Sequence, residues 1–220
     1  MLSCKLRKCE RCEHFLDSLK TSFKHYNYPS STKLINPIAT NPVSMTQSTI
    51  PPDLKPIIDF HGHFCPGLTL GYRAAKAGME RIHAVRSEDE ELIAIVENNS
   101  CAVDAIQYMT GCTFGKDNLF FRDYGKHVYT LALRPTGRGV RVSLKGTVFE
   151  NEDRDELIEH ILSIDENDLF KIQDVTIELP SHARIHESVP CSSCGEPVME
   201  TRIKEKDGKG YCIPCFNEKS

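Results

Sequence analysis

The chain has 220 residues, of which 40% are hydrophobic and ten are cysteine, and a formal net charge of −4. That length supports one ordinary domain and a small second one, with enough apolar material for a real core. No apolar run approaches the roughly 20 residues of a membrane span and no apolar signal-peptide region follows the first residues, so the expectation is a cytoplasmic protein with reduced thiols.

Charge divides the chain. Residues 1–50 hold seven Lys/Arg against three Asp/Glu, whereas the body is acidic. Cys4, Cys9 and Cys12 lie in a short charged stretch, followed by a Ser/Thr/Asn/Pro-rich run from Pro29 to Pro52 with no sustained period. Residues 1–50 therefore read as a basic, disordered tail. Translation from Met45 would make residues 1–44 a gene-model extension, and Cys9-Glu-Arg-Cys12 leaves a small metal-binding tail as the alternative.

A core domain is expected over residues 51–186. After an extended segment from Leu54 comes the densest cluster of reactive side chains, His61-Gly-His63-Phe-Cys65-Pro66-Gly67. Pro66 suits the first turn of a helix, where its missing N–H is not needed, and Leu68, Tyr72, Ala75, Met79 and Ile82 recur along one helical face. Cys65 then stands at the N-cap, where the helix end favours thiolate, the form needed by a nucleophile or a metal ligand. Gly71, one turn after Gly67, points to close packing against a neighbour. Leu92-Ile-Ala-Ile-Val96 is an unbroken apolar run, the pattern of a central strand, and Asn98-Asn99-Ser100 can cap a helix that begins at Cys101. Two thiols at helix starts would thus converge with His61 and His63. Two imidazoles and a thiol on one loop are poor core material, and N/S donors suit Zn, Fe, Co or Ni.

Cys112 reads as a buried filler. Gly111-Cys-Thr-Phe-Gly115-Lys116 has its glycines one residue too close for a nucleotide loop, and Asp117 stands where a magnesium-binding hydroxyl would be needed. The segment, with Thr110, Thr113, Asn118 and Asp123, is expected to shape a loop over the cysteine site, Lys116 offering an anion contact. Strands are expected at 127–133, 140–144 and 174–179, and a helix capped by Asp153, giving an α+β fold: a partly antiparallel sheet with helices on one face. His182 and His186 read as solvated in a polar linker.

Residues 187–220 form a zinc finger. Cys191-Ser-Ser-Cys194 and Cys212-Ile-Pro-Cys215, separated by seventeen residues, have the spacing of four thiolates around one structural zinc. A hairpin turning at Asp207-Gly208 and a helical turn in the second knuckle suggest a treble clef rather than a symmetric ribbon. From Glu196 to Lys219 five basic residues balance five acidic ones, so no footprint for nucleic acid is visible.

Three motifs carry a resemblance: His61-Gly-His-Phe-Cys-Pro-Gly-Leu with Gly71 and Arg73; Asn98-Asn-Ser-Cys-Ala-Val-Asp-Ala-Ile-Gln107; and Thr110-Gly-Cys-Thr-Phe-Gly-Lys116-Asp-Asn118. Together they resemble the family of the E-type subunit of formylmethanofuran dehydrogenase over about residues 53–216. The resemblance implies an α+β core, a C-terminal treble-clef finger, a homodimer and a metal-capable Cys/His site. It implies association with other subunits of the molybdenum or tungsten enzyme of methanogenesis, subunits that would themselves carry the pterin metal and the redox chemistry. The tail lies outside that pattern, and Asp117 replaces a small residue. The alternative is an independent enzyme acting on a small molecule through His63, Cys65 and Cys101, with a metal or with Cys65 as nucleophile and His61 or His63 as base.

Overall fold

A short helix, α1 (Lys55–His61), stands where an extended segment was expected. Leu54, Ile57 and Ile58 recur at helical spacing, Pro56 sits in the first turn, and Gly62 ends the helix in the left-handed region at φ 91°. The computed structural model describes residues 50–146 and 153–218. The expected tail, with Cys4, Cys9, Cys12 and Met45, lies outside the described residues apart from Ile50.

Helix α2 (Pro66–Ile82) begins as expected, with Pro66 in the first turn and Cys65 as N-cap, its Sγ accepting from Leu68 N–H at 3.4 Å. Strand β1 (Leu92–Val96) is buried along its whole length. Cys101 then opens α3 (Ala102–Thr110). The capping expected from Asn98 and Ser100 does not occur. Asn98 Oδ1 instead accepts from the Ser100 N–H and hydroxyl, closing a tight turn between strand and helix.

Beyond a 3-10 turn at Phe114–Lys116 come β2 (Leu119–Phe121), β3 (Val128–Leu133) and β4 (Arg138–Leu144), then α4 (Arg154–Ser163), α5 (Glu166–Leu169) and β5 (Phe170–Thr176). The sheet runs β2-β1-β3-β4-β5, with β1 parallel to β2 and every other pair antiparallel. The last strand starts four residues earlier than its alternating pattern suggested. Phe170 and Ile172, paired with Leu144 and Val142, supply the apolar anchor, and the run beyond Thr176 only trails along β4 through Ile177 N–H to Gly137 O at 3.0 Å. Asp153 caps α4 as expected, accepting from Asp155 and Glu156 N–H.

One face of the sheet (Leu92, Ala94, Val96, Tyr129, Leu131, Val140, Val142) forms a single core with Leu70, Ala74 and Ala75 of α2 and Ala102 and Ile106 of α3. The fold is α+β, with helices on that face. The two helices meet at Gly71, where an added Cβ would lie 2.2 Å from Ala102 O.

The linker is not simply solvated. Arg134 and Glu90 form a buried pair at 3.5 Å; Arg134 Nη1 holds Pro180 O, and Glu90 Oε2 takes Ala183 N–H and His182 Nδ1. His182 itself stays exposed, whereas His186, expected in water, is largely covered and faces Glu200 Oε1 at 3.3 Å. Four short strands follow, β6 (Ser188–Pro190) paired with β7 (Pro197–Met199) and β8 (Lys204–Lys206) with β9 (Lys209–Tyr211), before α6 (Ile213–Glu218). Asp207 and Gly208, at φ 51° and 69°, make the expected tight turn.

Replacing Gly71 by Ala should separate α2 from α3, because a backbone carbonyl cannot rotate away as a side chain can. Chemical denaturation is expected to show a loss of at least about 2 kcal/mol, in contrast to the open Gly115, where Ala meets nothing within 4 Å.

Candidate metal centres

The finger presents Cys191, Cys194, Cys212 and Cys215 with all four ligand atoms within 4.8 Å of one another. The first knuckle is the β6–β7 turn, closed by Gly195 at φ 76° donating to Cys191 O; the second joins β9 to α6. Backbone N–H groups of Cys212 and Cys194 stabilise the Cys191 thiolate and bring its pKa down to about 6. A closed set of four sulfurs suits a structural zinc and leaves no position for substrate.

The second cluster lies in the core. His61, His63, Cys65 and Cys101 also place their ligand atoms within 4.8 Å of one another. A tetrahedral ion held at about 2.0 Å by nitrogen and about 2.3 Å by sulfur sets its ligands roughly 3.3–3.8 Å apart, so small adjustments suffice. His61 Nε2 and Cys65 Sγ are already 3.9 Å apart.

Each candidate ligand is placed by a local device. His61 is the last residue of α1, and the left-handed Gly62 reverses the chain so that the His63 ring returns to within 4.3 Å of the His61 ring. Cys65 is fixed as the α2 N-cap. Cys101 arrives from α3 because Gly67 and Gly71 let the two helix starts approach: a Cβ on Gly67 would lie 3.3 Å from Cys101 Cβ.

Two further residues were not singled out from sequence. Asp104 Oδ2 binds His61 Nδ1 at 2.7 Å, fixing the ring so that Nε2 faces the cluster, the arrangement by which a carboxylate orients a metal-bound imidazole. Its place three residues after Cys101, on the same helical face, was a legible signal. Arg154 donates through Nη2 to the carbonyl of Phe64, between two of the ligands. Nothing near His61 in the sequence pointed to it, since it comes from α4.

Burial pushes the Cys65 thiol up, and the Cys101 thiol adds to this against the Leu68 N–H and Arg154. The helix end therefore does not by itself secure the thiolate expected there; a bound cation would. His63 is lowered, first by desolvation and then by the His61 and Arg154 charges, which keeps it in the neutral, ligating form.

Cys112 is elsewhere, fully buried at the start of β1 with Sγ 3.3 Å from Leu92 O, and its thiol is pushed up to about 11, chiefly by burial. The loop after it does not cover the cysteine site. Asn118 bonds Asp89 O and Leu92 O, while Lys116 Nζ, expected as an anion contact, is directed at Ser87 O and Glu88 O. These anchors lie at the opposite end of β1 from the turn leading to Cys101.

Residues 60–171 match the family model described as "FmdE, Molybdenum formylmethanofuran dehydrogenase operon", and residues 185–220 match the prokaryotic dksA/traR C4-type zinc finger. A protein of Archaeoglobus fulgidus described as a probable S-adenosyl-L-methionine-binding protein is 33% identical over 189 residues, covering 71% of this chain and 50% of its own. The chain thus spans about half the length of that relative. The crystal structure of an FmdE-like protein of the tungsten formylmethanofuran dehydrogenase type, from Syntrophus aciditrophicus, superposes with a TM-score of 0.57 at 24% identity, covering 76% of this chain and 91% of that one. This likeness shows the shared fold.

Replacing Asp104 by Asn would free the His61 ring to turn. Competition with a chromogenic chelator should then show a core metal held about 10- to 100-fold more weakly, with the finger metal unchanged.

Proposed function

The chain belongs to the FmdE family, and from that membership we propose a metal-binding accessory protein of formylmethanofuran dehydrogenase, with structural zinc in its finger and a second transition metal in its core. One observation carries this reading. The family-matched segment, residues 60–171, is the segment that brings His61, His63, Cys65 and Cys101 to one point, with Asp104 behind them.

The donor set fits the group. Two thiolates offset the charge of a divalent ion, two neutral imidazoles complete the coordination, and such N/S donors suit Zn, Fe, Co or Ni. When bound, the ion would supply Lewis acidity and hold the thiols ionised. Cys65 and Cys101 would anchor it from two helix starts, and His61 would be kept in one tautomer by Asp104. The succession of hairpin, second knuckle and helix supports a treble clef for the finger. A homodimer and a cytoplasmic setting complete the proposal; neither is required by the site geometry.

A second reading is favoured by the exposure of His63, the one ligand of the four on the solvent side. An exposed ligand can exchange, which an independent enzyme acting on a small molecule would need. The description of the Archaeoglobus relative as binding a small molecule is in keeping with this, although the match spans only half of that protein. Co-expression with the catalytic subunits of formylmethanofuran dehydrogenase separates the two readings. Co-elution on size exclusion is expected for the accessory role, and elution apart from them favours the enzyme.

Elemental analysis of the full chain is expected to give two metals per chain, one lost in Cys65→Ser and the other in Cys194→Ser. A single metal lost only with the finger variant would remove the core centre.

The core metal should also be released as pH falls, because protons compete for the imidazoles. Since the pKa of His63 is depressed, release is expected only below the ordinary histidine range of about 6.5. Metal content after dialysis across pH 7.5 to 4.5 would show it; full core occupancy at the lowest pH would contradict imidazole ligation.

A further inference from the structure

We infer that Arg154, with the exposed imidazole of His63, forms an anion-recognising rim on the core centre, fitted to a small monocarboxylate. The inference rests on the metal-binding reading of the same cluster and names the class of ligand it would take.

The position of Arg154 follows from a fixed helix. Asp153 caps α4, and Ile158 and Ile161 are buried beneath it. At the other end Arg73 of α2 donates to Ile161 O at 2.6 Å, Leu162 O at 3.0 Å and Ile164 O at 2.9 Å. Helix α4 is thus clamped to the helix whose N-cap is Cys65, and its first residue reaches the ligand loop, where Nη2 holds the Phe64 carbonyl.

That carbonyl uses one nitrogen and neutralises no charge. Among the described residues Arg81, Arg134 and Arg141 face Asp174, Glu90 and Glu97, whereas Arg154, like Arg73 and Arg86, has no carboxylate partner; Arg73 uses both terminal nitrogens on carbonyls, Arg154 only one.

Charge sets the ligand class. Two thiolates cancel a divalent ion and the imidazoles are neutral; Asp104 keeps its negative charge but holds it behind His61, at the Nδ1 edge, while Nε2 faces the cluster. Among the described residues the cation beside the exposed ligand is therefore Arg154, whose planar fork matches the geometry of a carboxylate. A dianion would be only half compensated.

The test titrates acetate into metal-loaded full-length protein by calorimetry, with metal content measured on the same samples. Saturable binding is expected in the wild type, weakened about 10-fold or more in Arg154→Gln, with both metals retained. Arg154→Lys, which keeps the charge but loses the fork, should fall between the two. Equal acetate affinity in wild type and Arg154→Gln would overturn the inference, as would no binding by a wild type that holds both metals, or tighter binding of inorganic phosphate. A wild type holding only the finger metal would overturn the core-centre reading as well, so the two failures are distinguishable.

Discussion

The contact between Gly71 and Ala102 governs the arrangement of the core. An added Cβ at Gly71 would fall 2.2 Å from a backbone carbonyl, so the two helices approach as closely as main chains allow. The approach is made near the N-termini of both helices, which is why the residues that begin them, Cys65 and Cys101, come together although 36 positions apart. The same helices cover one face of the sheet, so the packing that buries Leu70, Ala74 and Ile106 also assembles the cluster. Stability and site geometry therefore rest on one interface.

Within the cluster the four side chains differ in how firmly they are held. His61 ends a helix, bonds Asp104 and has a side chain only 10% exposed; Cys65 is an N-cap; Cys101 begins α3. His63 follows the left-handed Gly62 and faces solvent. This gradient from rigid to exposed gives the centre a closed side and an accessible side, and Arg154 reaches the ligand loop through the carbonyl beside His63.

Much of this could be read from the sequence because the strongest local signals were also the ones the fold uses. Pro66 after Cys65, the apolar run of β1, and the two CxxC knuckles each state their structure within a few residues. Legibility failed where partners are remote or elements are short. Helix α1 was hidden because Pro56 in a seven-residue segment resembles an extended stretch, and β2 has only three residues. The alternation at 174–179 continues past the strand because Phe170 and Ile172, not the later residues, meet β4. Lys116 looked available for an anion because the carbonyls of Ser87 and Glu88, nearly thirty positions earlier, do not show in a motif. Asp104 was legible by helical spacing, whereas Arg154, brought by α4, was not.

The buried Arg134–Glu90 pair has a consequence for how the finger could act. By holding Pro180 O and Ala183 N–H, it pins the linker to the core only eight residues before Cys191. Eight residues span at most about 29 Å, and a short tether of this kind raises the local concentration of one binding surface near another to the order of millimolar. A macromolecule touching both core and finger would engage the second almost as an intramolecular step, so two weak contacts could together hold it far longer than either alone.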